Sequence, residues 1–183
     1  MHVRFALILP VLLAASVAVA VAGDTPGSRD ALPPQCDTFT WDVTNELAAL
    51  QSPSLASVAG NGNNVETPRI GLRIRHDVRL HPQAEVTLAA DPGRAHSGDA
   101  AAGLLVFQVP EDGRYRVSLT TGHWVDVIDG GQVVSSLDHH GQRGCPLLRK
   151  VVEFDLAGGH DLLLQIVGGA GSETGLLVTP ADP

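Results

Sequence analysis

The chain has 183 residues, a formal net charge of −8, 44% hydrophobic residues and 17% charged ones. That length buries one core of ordinary domain size. An acidic chain without a basic stripe repels nucleic acid and anionic membrane surfaces, so nucleic-acid binding is set aside and the acidity is read as solubility.

The first residues change how every later one is read. Residues 1–4 form a short basic start with Arg4, residues 5–22 are almost wholly apolar, and Ala20-Val21-Ala22 before Gly23 has the small-x-small form cut by signal peptidase. The pattern predicts a signal peptide over 1–22. An uncleaved anchor is the alternative for an apolar run of this length, but no basic stop-transfer cluster follows it. Cleavage leaves 161 of the 183 residues, removes Arg4 and takes the charge from −8 to −9. The first cysteine, Cys36, lies too far downstream for a lipoprotein signal. The expected product is a periplasmic or secreted protein with no membrane contact after cleavage.

Residues 23–35 are rich in Gly, Pro, Asp and Ser without an apolar period, and read as a flexible leader; residues 36–183 are expected to form one domain. Within 42–51, Val43, Leu47 and Leu50 share a helical stripe, with Asp42 or Thr44 as N-cap and Pro53 as stop. Such a short helix is held by tertiary contact rather than by propensity. Residues 53–68 contain Gly60-Asn61-Gly62-Asn63-Asn64 and read as a turn-rich linker. Ile70, Leu72 and Ile74 then alternate with Gly71, Arg73 and Arg75, predicting a strand that continues through Val78 and Leu80 to the break at His81-Pro82. Residues 84–89 are expected as the next strand, and 91–102 as a loop.

From Gly103 to Pro180 short alternating segments are separated by glycine turns: GLLVFQV, GRYRVSL, HWVDVI, QVVSSL, KVVEFDL, HDLLLQI and GLLVTP. Tyr115, Val117 and Leu119 share one parity and are expected to face inward, with Arg116 and Ser118 facing water. Asp112-Gly113 and Asp129-Gly130 are hairpin-type dipeptides; Asp129-Gly130-Gly131 should join HWVDVI to QVVSSL, and Ala157-Gly158-Gly159 should link VVEFDL to DLLLQI. Residues 138–146 are expected as a loop. Recurrent glycine and β-branched residues argue against helix here. The fold class expected is mainly β, an antiparallel β-sandwich of jelly-roll-like form with one short N-terminal helix. The edges of such an open sandwich are free to pair with another chain, so a dimer is compatible with the pattern.

Cys36 and Cys145 are the two cysteines. In an oxidising compartment an even pair predicts a disulfide, closing 109 residues and worth about 4.7 kcal/mol in the chain-entropy model. Metal ligation beside His139 and His140 is the competing reading, weakened by the absence of a C-x-x-C pair.

The phrases FQVPEDGRYRVSL, WVDVIDGG and VEFDLAGGHDLLLQI resemble the strand-turn grammar of secreted bacterial pre-peptidase C-terminal domains and carbohydrate-binding β-sandwiches. The chain is also similar to small exported proteobacterial proteins with the pattern GLLxFxV, GxYRVxL, WxDV and C-x-x-x-RK-V-x-F-x-L, matched here at 103–109, 113–119, 124–127 and 145–156. The resemblance implies a β-sandwich fold. Some of those proteins carry the label homogentisate dioxygenase, which implies non-haem iron held by two histidines and a carboxylate. No H-x-H pair with a nearby Glu occurs among His76, His81, His96, His123, His139, His140 and His160. No metal or cofactor site is therefore expected.

Catalytic patterns are equally thin. Ser97 stands between His96 and Asp99, but triad members must converge in space. There is no G-x-S-x-G elbow and no Walker loop. The polar positions that invite a role are on strands. Trp124 and Asp126 share one parity, so one strand face must hide or use a carboxylate, either in an ion pair with Arg149 or Lys150 or as a ligand site in which Trp124 stacks and Asp126 accepts hydrogen bonds. Adjacent His139 and His140 would point to opposite faces of a strand. The candidate ligand-binding residues are thus Trp124, Asp126, His139 and His140. The function expected is a non-catalytic exported binding or accessory domain with a glycan, peptide or partner protein as ligand. A histidine-based metal enzyme and a purely structural domain are the alternatives.

Overall fold

Alternating side chains make strands here because one face of each meets a core and the other meets water or a covering segment. The computed structural model describes residues 2, 33, 35–63, 66–93 and 99–181. The signal peptide reading of 1–22, nearly all of the 23–35 leader, and His96 and Ser97 lie outside the described residues. The chain divides into Met1–Ala31 and Leu32–Pro183, and the architecture below is that of the second unit.

In chain order the elements are helix α1 (Thr44–Leu50) and strands β1 (Leu55–Val58), β2 (His76–Arg79), β3 (His81–Pro82), β4 (Ala100–Gln108), β5 (Gly113–Leu119), β6 (Trp124–Asp129), β7 (Gln132–Val134), β8 (Ser136–Gly141), β9 (Lys150–Leu156), β10 (Asp161–Ala170) and β11 (Glu173–Pro180). They form a larger sheet of six strands, ordered β1-β2-β11-β5-β9-β8, and a smaller one of five, ordered β3-β4-β10-β6-β7. Only the β1–β2 pairing is parallel among the described strands. The fold is the expected mainly-β sandwich. Its core interleaves Leu105, Phe107, Leu164 and Ile166 of the smaller sheet with Tyr115, Val117, Leu119, Phe154 and Val178 of the larger. Tyr115, Val117 and Leu119 face inward as their parity requires, but Arg116 and Ser118 do not face water: Ser118 is fully buried and Arg116 nearly so, because that outer face is covered too.

Asp129-Gly130-Gly131 closes the β6–β7 hairpin, with Asp129 paired to Gln132 and both glycines at positive φ, 54° and 83°. That is the combination a two-residue primed turn needs. Asp112-Gly113 and Ala157-Gly158-Gly159 differ from the hairpin reading. Each carries the chain from one sheet to the other, β4 to β5 and β9 to β10. The two crossovers brace each other: the Gly158 N–H donates to Asp112 Oδ1 at 2.8 Å and the Gly159 N–H to the Val109 carbonyl at 2.9 Å. A Cβ on Gly158 would fall 2.5 Å from the Glu111 backbone, so the close approach requires glycine.

Other expectations are corrected: the 53–68 linker contains strand β1, and the last three residues of the 91–102 loop open strand β4. Residues 70–75 are not a strand. Ile70 is buried and its N–H bonds to the Val106 carbonyl, then Arg73 turns at φ 59° and bonds to the Val178 carbonyl, because this stretch passes from the smaller sheet to the larger. Residues 84–89 are also not a strand; after a 3-10 turn at Gln83–Glu85, Val86 and Leu88 cover Ala102 and Val167 on the outside of the smaller sheet. The segment QVVSSL changes sheets at Ser135, and β8 continues through Gly141, so the expected 138–146 loop begins as strand over its first four residues.

Helix α1 spans the predicted interval. The Asp42 carboxylate accepts from the Thr44 N–H at 3.0 Å, and this bond holds its pKa below the ordinary carboxylate value. Val43, Leu47 and Leu50 bury their stripe against Leu148, Val151 and Leu177 on the outer face of the larger sheet. The Cys36–Cys145 disulfide belongs to the same cluster and anchors the segment leading into the helix.

Candidate functional site

Covering the middle of that outer face forces the chain before α1 to run across β5, β9 and β8. Trp41 arrives there beside Arg116, whose guanidinium lies 5.1 Å from the ring centroid. Arg116 is the hub of the contact. Its Nε donates to Glu153 Oε2 at 3.1 Å, and its Nη1 to the Asp42 carbonyl at 2.8 Å and to Glu46 Oε1 at 3.4 Å. Glu46 is only 2% exposed, and Thr179 Oγ1 donates to the same Oε1 at 3.0 Å. A buried carboxylate with a guanidinium and a hydroxyl on it is a satisfied charge, and it orients α1 on the sheet.

A groove of about 440 Å³ opens next to this network, lined by Trp41, Arg114, Arg116, Leu137, Asp138, Glu153 and Ala181. The Arg114 side chain is 70% exposed and stands 3.8 Å from Glu153 Oε1 at the groove's rim. Asp138 comes from edge strand β8 and is exposed. The arrangement gathers the half-buried Trp41, the exposed Arg114 guanidinium and the exposed Asp138 carboxylate around one opening, with Glu153 held by Arg114 and Arg116. It is suited to hold a ligand that both stacks and exchanges several hydrogen bonds.

Of the residues singled out in the sequence, His140 belongs to the edge of this region. It is half-buried, with its ring centroid 5.3 Å from Phe39 and 6.2 Å from Trp41. His139 is exposed on the opposite face of β8. Trp124 and Asp126 lie in the other sheet, on β6. Trp124 is 37% exposed; its indole Nε1 donates to Asp126 Oδ1 at 2.8 Å, and Lys150 Nζ stands 5.2 Å from its ring. Asp126 Oδ2 accepts from Gln165 Nε2 at 3.2 Å, while Gln165 Oε1 holds the Ala89 and Ala90 N–H groups. Asp126 thus takes an indole and an amide as hydrogen-bond partners. The four candidates are split between two sheets, and Trp41, Arg114, Arg116 and Glu153 are the groove residues that sequence reasoning missed.

The remaining described histidines of the 36–181 segment are dispersed. His76 bonds Ser57 and the Gly71 N–H, His81 the Ala59 carbonyl at 2.7 Å, and His160 Asp129 at 2.9 Å. His123 is fully buried; Nδ1 shares a 2.6 Å hydrogen bond with Thr121 Oγ1, and Nε2 has no partner of good geometry. Among the described residues no group of three or more His, Cys, Asp or Glu side chains is placed to hold a metal ion. No helix among them is long and apolar enough to cross a membrane.

No protein-family model matches the chain, and no curated protein is significantly similar to it. Among solved structures, the crystal structure of a β-glucosidase from Kluyveromyces marxianus in complex with glucose is similar over 46% of this chain and 10% of that one, with 18% identity and a TM-score of 0.31. The match spans about a tenth of the β-glucosidase, and a likeness of that size is silent on function.

Proposed function

We propose that the protein is an exported, non-catalytic β-sandwich binding module that holds a glycan in the Trp41 groove. The observation that carries the reading is the convergence of Trp41, Arg114 and Asp138 around one opening, positioned by a largely buried Arg116–Glu46–Glu153 network. Sugars present apolar C–H faces that stack on indole and hydroxyl groups that both donate and accept. Guanidinium donors and carboxylate acceptors beside an aromatic ring match both needs. The network beneath supports the site by fixing rotamers before the ligand arrives, which lowers the ordering cost of binding. The Cys36–Cys145 disulfide supports export, since such bridges persist in oxidising compartments.

The test is a tryptophan-fluorescence titration of the purified protein with a panel of soluble oligosaccharides. Trp41→Ala should abolish the response and Arg114→Ala should weaken it at least tenfold, whereas Trp124→Ala should leave affinity unchanged. A response lost with Trp124→Ala and kept with Trp41→Ala would move the site to β6. No response to any member of the panel, with binding absent by calorimetry, would overturn the glycan reading.

A further inference from the structure

Among the described residues the two sheets have four edge strands, β1, β8, β3 and β7. β3 is two residues long and ends in Pro82, β7 is three residues long, and β8 carries Asp138 and His139. Brevity, proline and charge are the usual defences of an edge. β1 is also short, at four residues, but carries neither proline nor charge: its sequence is Leu-Ala-Ser-Val, with Leu55 and Val58 53% and 52% exposed. The Leu55 and Ala59 N–H groups bond to the Arg75 and Arg79 carbonyls of the β2 side. Strand alternation therefore turns the main-chain groups of Ala56 and Val58 away from β2, toward the open edge.

We infer that β1 is the contact strand of a homodimer, pairing antiparallel with β1 of a second copy to join the two larger sheets into one. Outward groups at Ala56 and Val58 define the register. Each bonds to the other's counterpart, Ala56 opposite Val58 of the second copy, which puts the two-fold axis at Ser57 and forms about four main-chain hydrogen bonds. On the outer face the small Ala56 side chain meets the larger Val58 twice over, by symmetry. On the axis Ser57 meets its own copy, and a charge at that position would be repelled by its twin. β1 contains no charged residue, which a self-pairing edge requires and an edge for a charged foreign peptide does not.

The floor beside the edge is compatible with this contact. A groove of about 520 Å³ runs across the outer face from Ala56 and Val58 over β2 and β11. Its charges balance: Arg75 Nε donates to Asp77 Oδ1 at 2.9 Å, Ser54 Oγ to Asp77 Oδ2 at 2.6 Å, and Arg79 stands in register with Glu173. A four-residue pairing buries less than a standard interface of roughly 1,600 Å², so the dimer is weak and concentration-dependent. Salt should strengthen it, by screening the repulsion between two acidic copies.

Sedimentation equilibrium of the purified protein from about 10 µM to 1 mM tests the contact, with hydrogen exchange read at single amides in the same samples. The expected result is a mass rising from one chain toward two, with the Ala56 and Val58 amides exchanging more slowly as concentration increases. Val58→Lys and Ala56→Lys, both on exposed side chains, should remain monomeric with unchanged circular dichroism. Val133→Lys, on edge strand β7, should associate like the parent. A parent protein that stays monomeric throughout, including one whose β1 is held instead by a foreign peptide, overturns the proposal. So does a dimer that Val58→Lys and Ala56→Lys leave intact, or protection on β7 or β8 instead.

Discussion

Replacing both Cys36 and Cys145 by serine should weaken the fold by about 3–5 kcal/mol, and the reasons are specific to where the bridge lies. It closes 109 residues, for which loss of loop entropy in the unfolded chain gives about 4.7 kcal/mol as an upper value. Both cysteines are buried in the cluster that docks α1, and the Leu148 N–H donates to Cys145 Sγ at 3.3 Å. A serine keeps that acceptor but places a hydroxyl among apolar groups, so little of the loss is recovered. For a domain near 150 residues the expected fall in Tm is about 10 °C. Urea unfolding followed by circular dichroism reads the free energy, and glycan titration of the folded double variant reads the site. Because the bridge anchors the segment carrying Trp41, affinity should fall more than tenfold even where the sandwich stays folded. A stability loss below about 1 kcal/mol, with glycan affinity intact, would refute the claim that the disulfide builds the groove.

Other outcomes follow from the same contacts. Arg116→Ala strands the buried Glu46 carboxylate and should cost about 3–5 kcal/mol in urea unfolding, with part regained in the double variant carrying Glu46→Gln. Gly158→Ala drives a Cβ against the Glu111 backbone and should cost about 1–3 kcal/mol, read as a lower denaturation midpoint at unchanged slope. Stability should decline on acidification from pH 7 toward pH 5. Burial holds the His76 and His123 pKa values below 6.5 in the fold, so the unfolded chain binds more protons there, and each histidine contributes a slope of at most about 1.4 kcal/mol per pH unit. His160, raised chiefly by its hydrogen bond to Asp129, acts in the opposite direction but is exposed and screened. A stability that rises over this interval would contradict the assignment.

The strands were legible because period-two alternation and glycine turns are local signals, and Tyr115, Val117 and Leu119 face the core as their parity requires. Which sheet each strand joins was not legible. Asp112-Gly113 reads the same whether the chain turns back beside β4 or crosses to the other sheet, and only the packing of Gly158 on Glu111 distinguishes them. The 70–75 stretch imitated a strand because Ile70 is buried and Ile74 lies two turns of alternation later, although the backbone between them bends at Arg73. Cysteine parity was enough to pair Cys36 with Cys145. The groove was hidden because it joins residues distant in sequence, as the Arg116 bond to the Asp42 carbonyl across 74 positions illustrates. One signal did exist: Trp41 is one of only two tryptophans and stands five positions after Cys36, on a segment the bridge ties to the region of Cys145.

With two tryptophans in the chain, an amide correlation spectrum contains two indole N–H signals, one from the Trp41 groove and one from the Trp124–Asp126 hydrogen bond. Following both during glycan titration tests the central claim directly. The account predicts that the Trp41 signal shifts and saturates while the Trp124 signal stays fixed. Saturating movement of Trp124 with Trp41 unmoved would contradict it.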